Sequence, residues 1–274
     1  MTNSKSIMDD EKALIGTCTS GEYCSYHKKK KLNQMITLPS YSSPSTAPKI
    51  KITPDDYLKS FLKGLGSPYG PAGSWLLMGE QNDWYSGVLK NKFQGKYQID
   101  MLNLGIAGVA HASGIIHIIN HIIKSDQNVN LYFLDKCKKP LIDIKSAFPV
   151  GGNMNCDVIH SNATGGEQQI PYDIISAHFL FSFLNENSAS GVIKTAYDNL
   201  KDDGSFVVAT GLQSFMGNDI SSYFEGFGLD IVDIIQCWDV YDLTGNQISQ
   251  LLDGESVVVP NDNFLIEMKK GDLQ

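Results

Sequence analysis

From residue 97 onward, short apolar stretches of strand length alternate with segments that suit helices. Seven stretches are rich in β-branched and aromatic residues and are separated by polar or glycine-containing turns. They lie at 97–104, 128–135, 156–161, 172–179, 205–211, 229–238 and 263–269. Alternating strands and helices build a mostly parallel sheet that is covered by helices on both faces. The sequence therefore predicts an α/β fold whose ligands bind beyond the carboxyl ends of the strands.

The first 96 residues divide into two parts of different composition. Residues 1–50 are rich in Ser, Thr, Lys and Pro and sustain no helix or strand period, which predicts a flexible arm. Residues 51–96 are predicted to form a small helical cap. One helix starts at Thr53-Pro54-Asp55-Asp56, where a cap residue precedes a proline and two acids. A second helix is predicted at 79–92. Residues 97–274 form the predicted main domain.

Composition indicates a soluble protein of the cytoplasm. The 274 residues are 42% hydrophobic and 19% charged, values ordinary for a globular protein. The sequence contains no run of about 18 apolar residues that would span a membrane, and its N-terminus lacks the apolar segment of a secretory signal. The 5 cysteines form no CxxC pair, and an odd number suits a reducing compartment.

The charge pattern limits the partners that this chain can bind. All 22 basic residues are lysines, so bidentate capture of phosphate by arginine is excluded. The formal net charge is −8, and the acidic excess lies beyond residue 60. An acidic main domain without arginine predicts no binding to nucleic acid. The predicted partner is a small-molecule substrate, and no membrane partner is predicted. The sequence leaves a homo-oligomer open.

A glycine-containing loop follows the first predicted strand of the main domain. In the segment NLGIAG, residues 103–108, a strand runs into Gly105 and a helix rich in isoleucine begins shortly afterwards. That helix is predicted to bury Ile115, Ile118 and Ile119 and to expose His117 and His121. The two histidines have the i, i+4 spacing of metal ligands. No third ligand lies nearby in sequence, and we predict no metal site.

Five segments together resemble the class I S-adenosylmethionine-dependent methyltransferases, which have a Rossmann-like fold. In chain order they are NLGIAG (103–108), FLD (133–135), SNA (161–163), PYDIISAHFLFSFLNE (171–186) and NLKDDGSFVVAT (199–210). The resemblance covers roughly residues 97–270. It implies a Rossmann-like sheet of seven strands and S-adenosylmethionine as the cofactor.

The resemblance also implies which residues bind the cofactor. Asp135, at the end of the second strand, corresponds to the acid that binds the two ribose hydroxyls. Asn103 and Asn162 stand where the family commonly has acids, so hydrogen bonding is kept and charge is lost. The predicted cofactor-binding residues are Asn103, Gly105, Ala107, Gly108, Asp135, Lys136, Asn162, Ala163 and Ala177.

One histidine is the predicted catalytic residue. His178 lies at the end of the fourth strand, where family members place residues that face the substrate. A neutral imidazole at this position can accept a proton from an attacking oxygen or nitrogen. An alternative interpretation is a histidine packed under a lid. The predicted substrate-binding residues are Tyr69, Trp75, Tyr85, Phe179 and Trp238.

These observations predict a methyltransferase that acts on oxygen or nitrogen of a small organic molecule. Three alternatives remain open. They are a protein or peptide methyltransferase, a relative of the same fold that uses the sulfonium for other chemistry, and a methyltransferase-like interaction protein without catalytic activity. The acidic main domain keeps a basic peptide substrate among these alternatives.

Overall fold

The structure is a computed structural model of the chain. It describes residues 49–58, 79–106, 108–148, 152–165, 170–211, 224–238, 243–260 and 263–271. Most of the predicted arm therefore lies outside the described residues, as do three of the predicted site residues, Tyr69, Trp75 and Ala107.

Within the described residues, nine strands form two sheets. They are β1 (Lys49–Ile52), β2 (Gln98–Leu104), β3 (Asn128–Asp135), β4 (Met154–His160), β5 (Tyr172–His178), β6 (Leu200–Gly211), β7 (Leu229–Cys237), β8 (Val257–Pro260) and β9 (Asn263–Lys270). The large sheet has the order β4-β3-β2-β5-β6-β9-β7. Its strands are parallel except for β9, which runs antiparallel to both β6 and β7. This arrangement confirms the predicted Rossmann-like, seven-stranded, mostly parallel sheet.

Helices cover both faces of the large sheet. They are α1 (Gly79–Phe93), α2 (Val109–Ile122), α3 (Lys138–Ala147) and α4 (Glu186–Asn199), with α5 (Gly245–Leu252) outside the sheet. Side chains of α1, α2 and α3 share one apolar core with the sheet, and those of α4 share the core on the opposite face. The predicted burial of Ile115, Ile118 and Ile119 on α2 is confirmed. No helix in the described part of the chain is long and apolar enough to cross a membrane.

A small module is built from two distant segments. Strands β1 and β8 pair antiparallel, and buried Ile52, Tyr57 and Leu251 pack between them and α5. The helix predicted after β1 begins as expected, because Asp56 Oδ2 accepts hydrogen bonds from the amide and the hydroxyl of Thr53 at 3.0 and 2.6 Å. The module links the segment before the main domain to the insertion before β9.

Charged residues join three strands at the amino edge of the large sheet. Asp173, at the start of β5, is 1% exposed. Its carboxylate accepts from Lys96 Nζ at 2.5 Å, from Lys201 Nζ at 2.8 Å and from the backbone N–H of Asp100 at 2.8 Å. Burial by itself raises the pKa of Asp173, but these donors outweigh it and hold that pKa below its usual value. Asp173 therefore stabilises the fold on the side opposite to the predicted ligand edge.

Candidate functional site

The carboxyl ends of four neighbouring strands meet at one edge of the large sheet. The register pairs Leu104 at the end of β2 with both Leu134 and Ala177. It also pairs Asp135 with His160 at the ends of β3 and β4. This register brings the glycine loop, Asp135 and His178 to a common edge. The edge includes the switch point between β2 and β5, because the chain continues from β2 to β3 on one side and from β5 to β6 on the other.

Two glycines shape the loop between β2 and α2. Gly105 has φ of +70°, and Gly108 has φ of 147° with ψ of −172°, a conformation essentially restricted to glycine. Gly105 N–H donates to the Leu134 carbonyl at 2.9 Å, which ties the loop to β3. A Cβ on Gly105 would lie 2.6 Å from Leu180 Cδ1. The Leu180 side chain therefore packs directly against the loop backbone at Gly105, which only a residue without a Cβ allows.

Asp135 is a buried carboxylate at the end of β3. The residue is only 3% exposed, and its Oδ1 accepts a hydrogen bond from the Cys137 N–H at 2.6 Å. Burial raises the pKa of Asp135 to about 6, although the hydrogen bonds from Cys137 and the charge of Lys136 act in the opposite direction. Such a carboxylate is stabilised by additional hydroxyl donors, as a ribose diol would provide.

The two asparagines predicted to contact the cofactor make hydrogen bonds within the protein. Asn103 accepts from the Ser176 hydroxyl at 2.5 Å, and its amide donates to the Tyr132 carbonyl at 3.4 Å. It therefore joins β2 to both neighbouring strands. Asn162 Oδ1 accepts from the Thr164 N–H at 3.1 Å and fixes the turn after β4.

The remaining predicted cofactor residues lie close to these groups. Lys136 is partly buried directly after β3. Ala163 is 9% exposed after β4. Ala177 is fully buried, and it packs in the core on the face covered by α4.

His178 belongs to a buried polar cluster with His111 and Tyr85. His178 is 4% exposed, and its Nδ1 lies 3.2 Å from Nε2 of His111, in the first turn of α2. The Tyr85 ring from α1 meets the His178 ring edge-on, with centroids 5.3 Å apart and an interplanar angle of 81°. His178 Nε2 is buried without a hydrogen-bond partner among the described residues. Tyr85 Oη is also buried and makes no hydrogen bond of normal geometry there, although the Ser176 side chain acts on its pKa.

Burial keeps this cluster electrically neutral. It lowers the pKa of His111 to about 4. It also lowers the pKa of His178 well below the ordinary value, and the neighbouring His111 adds to that shift. Burial raises the pKa of Tyr85, so its hydroxyl keeps its proton. No charge is therefore present on these three side chains at neutral pH.

His111 is not among the site residues predicted from the sequence. This residue follows the last glycine of the loop by three positions, so it lies in the first helical turn at the sheet edge. A polar residue in the first helical turn after a glycine loop is the sequence signal that indicates such a position.

The backbone after β5 is strained. Phe179 has φ of 57°, the positive value that a bulky L-residue rarely adopts. Its N–H donates to the Ala209 carbonyl at 2.6 Å, which holds the turn in place. Strain of this kind is concentrated at functional positions. The partly buried Phe179 ring packs against the core that α1 and α2 share.

The predicted substrate residues separate into two places. Tyr85 contacts His178, as described, and Phe179 is the next residue in the chain. Trp238 instead packs against the small module formed by β1, β8 and α5. Trp84, the neighbour of Tyr85, donates from Nε1 to Asp233 at 2.7 Å and so does not join the cluster.

Comparisons with known proteins found similar solved structures only. No family model matches the sequence, and no curated protein matches it. Among solved structures, the chain is similar to the N-methyltransferase NodS from Bradyrhizobium japonicum in complex with S-adenosyl-L-homocysteine, at 10% identity and a TM-score of 0.49, over 79% of this chain and 99% of that one. It is also similar to a TehB-like methyltransferase from Corynebacterium glutamicum, at 16% identity and a TM-score of 0.45, over 68% and 86% of the two chains.

A third similar structure is a putative class I methyltransferase from Listeria monocytogenes. The identity is 14% and the TM-score 0.49, over 70% of this chain and 59% of that one. Similarity at these identities concerns the fold alone. The fold class itself follows from the strand order and register described above.

Proposed function

We propose that this protein is an S-adenosylmethionine-dependent methyltransferase that acts on an oxygen or nitrogen atom of a small organic molecule. The observation that carries this proposal is the position of Asp135. A buried carboxylate that accepts from the Cys137 N–H ends the strand next to a loop whose two glycines adopt positive φ. This combination suits a ligand that has a diol and needs close backbone contact.

The residues at the sheet edge fit the cofactor. Asp135 would accept hydrogen bonds from the two ribose hydroxyls, and the backbone at Gly105 and Gly108 would allow the ligand to approach closely. Leu180 is a flexible side chain over Gly105, and a ligand seated on the loop would displace its methyl groups. When bound, the cofactor supplies an electrophilic methyl group, so the protein has to contribute alignment and exclusion of water.

The proposed catalytic residue is His178. Its imidazole is neutral at physiological pH, because burial and His111 lower its pKa. A neutral imidazole can accept the proton that the acceptor atom loses when it gains the methyl group. The buried Tyr85 ring contacts the His178 ring and adds a neutral hydroxyl group to this cluster. A site with no charge on these side chains favours a neutral small molecule over a basic peptide.

The pH dependence of cofactor affinity tests the role of Asp135. Ribose hydroxyls donate to the ionised carboxylate, and the pKa of Asp135 is about 6 before binding. Affinity for S-adenosylhomocysteine should therefore rise as pH increases from 5 and level off above pH 7. If binding lowers the pKa to the ordinary aspartate value of about 4, the affinity at pH 5 is expected to be about tenfold below its plateau. Isothermal titration calorimetry across this range measures the effect.

The matched variant is Asp135→Asn, which keeps the size of the side chain and removes its titration. It should bind more weakly than the wild type at pH 7 and show no change in affinity between pH 5 and 7. A wild-type affinity that is flat over this range would remove Asp135 from the cofactor site. Absence of any binding at pH 7 would favour an interaction protein over an enzyme.

A further inference from the structure

The contact between His111 and His178 fixes the chemistry of both rings. Nε2 of His111 and Nδ1 of His178 are 3.2 Å apart, and both residues are buried. Two neutral imidazoles that share one hydrogen bond must divide the roles, since one nitrogen carries the proton and the other accepts it. Because a neutral imidazole carries a single ring proton, Nε2 of His178 is protonated only when its Nδ1 is not.

Two arrangements are possible, and they differ in what they leave buried. If His111 donates, His178 carries its proton on Nε2, and an N–H is buried with no acceptor among the described residues. If His178 donates from Nδ1, Nε2 is a bare lone pair. Orphaned buried N–H groups are rare in proteins because they lose hydrogen bonds to water without replacement. The second arrangement avoids such a group.

Tyr85 favours the same arrangement. Its hydroxyl is buried and makes no hydrogen bond of normal geometry in the described part of the chain, although the Ser176 side chain lies close enough to act on its pKa. Its ring contacts the ring of His178. A phenol that keeps its proton is a donor, and it complements a bare nitrogen better than an N–H. The cluster then presents one donor, Tyr85 Oη, and one acceptor, His178 Nε2.

We propose that His111 is a positioning residue, which accepts a hydrogen bond from His178 Nδ1–H and thereby leaves His178 Nε2 unprotonated as the proton acceptor of the reaction. This inference rests on the proposed function for its catalytic meaning, but the tautomer is a property of the protein alone.

The proton balance of the step follows from this tautomer. The acceptor atom of the substrate forms a bond to the methyl carbon, and the carbon–sulfur bond breaks with its electron pair remaining on sulfur. The proton leaving the acceptor atom binds to Nε2 of His178. His178 then carries a proton on each nitrogen, still bonded through Nδ1–H to His111, and returns the Nε2 proton to water after product release.

The tautomer can be measured without substrate or cofactor. In the full-length protein labelled with ¹⁵N-histidine, long-range proton–nitrogen correlation spectra distinguish a protonated from a bare ring nitrogen. The expected result at pH 7 is a bare Nε2 and a protonated Nδ1 on His178, assigned by the loss of its signals in His178→Gln. A protonated Nε2, or both tautomers at comparable population, would overturn the proposal.

Variants of His111 separate positioning from packing. His111→Phe removes the acceptor and keeps a ring, so His178 should lose its preference for the Nδ1–H tautomer. His111→Gln keeps an acceptor and should retain that preference. His117→Phe, on the exposed side of the same helix, is the control and should leave the His178 spectrum unchanged. An unchanged His178 tautomer in a folded His111→Phe protein would also overturn the proposal.

Turnover provides the second readout. When turnover is measured with a methyl-accepting substrate, His111→Phe should lower kcat by at least about tenfold, with little change in KM or in affinity for S-adenosylhomocysteine. The His111→Gln variant should retain part of the activity that His111→Phe loses. A normal kcat in His111→Phe would contradict the positioning role. Failure of the protein to bind the cofactor would instead reject the proposed function, while the tautomer measurement would still stand.

Discussion

Replacing Asp173 with alanine should lower the free energy of unfolding by about 3 kcal/mol. The carboxylate is buried and accepts from Lys96, Lys201 and the Asp100 N–H, so its removal leaves a buried backbone donor without a partner. The two lysines are 25% and 31% exposed, and water partly solvates their released charges. The expected loss of unfolding free energy is therefore at the low end of the range for breaking a buried ion pair. Urea denaturation followed by circular dichroism measures it.

The control is Asp198→Ala, which breaks an exposed pair with Lys194 one helical turn away. That change should cost no more than about 0.5 kcal/mol. The pKa of Asp173 is lowered in the fold, so its contribution is complete above the ordinary aspartate pKa and is lost as pH falls through the folded value. The difference between wild type and Asp173→Ala should therefore shrink below about pH 4. Equal stability of the two proteins at pH 7 would contradict the role of this residue.

Replacing His178 with glutamine should lower turnover about a hundredfold or more while cofactor affinity is retained. Glutamine approximates the size and part of the hydrogen bonding of imidazole, but it cannot accept a proton at neutral pH. Steady-state kinetics and calorimetry on the same preparation measure the two effects. His121→Gln, an exposed residue on α2, is the control and should behave as the wild type.

The pH profile adds a direct check on His178. A histidine base with an unperturbed pKa of about 6.5 would give an acid limb in the pH profile near that pH. Burial and the neighbouring His111 lower the pKa of His178, so the limb should lie at clearly lower pH and be absent in His178→Gln. A glutamine variant that loses stability and cofactor binding together would identify His178 as a packing residue. A variant with normal turnover would remove it from the mechanism.

The fold was predictable because its strands are encoded locally. Six of the seven predicted strands begin and end within two residues of the observed ones, since each is an apolar run bounded by turn residues. Strand β6 begins at Leu200, five residues before the predicted start, within a polar stretch whose pairing depends on β5. Strands β1 and β8 were not predicted. Each has four residues, and each finds its partner about 200 positions away in the chain.

The site was predictable only in part, because its contacts depend on tertiary packing. The positions of Gly105 and Asp135 at the sheet edge followed from the strand pattern. The contact between His111 and His178 spans 67 positions and arises only when α2 packs on β5. Likewise, the bond from Ser176 to Asn103 joins residues 73 positions apart, and it gives Asn103 a partner in the sheet that no local pattern indicates.

Binding of S-adenosylhomocysteine to the purified full-length protein tests the central claim most directly. We expect a saturable isotherm at pH 7.5 with one site per chain. Asp135→Ala should weaken that binding by about 1–3 kcal/mol, the cost of losing hydrogen bonds to a charged group. Asp157→Ala, which changes an exposed carboxylate on β4, should bind as the wild type does. Absence of binding by the wild type, or equal affinity of wild type and Asp135→Ala, would contradict the account.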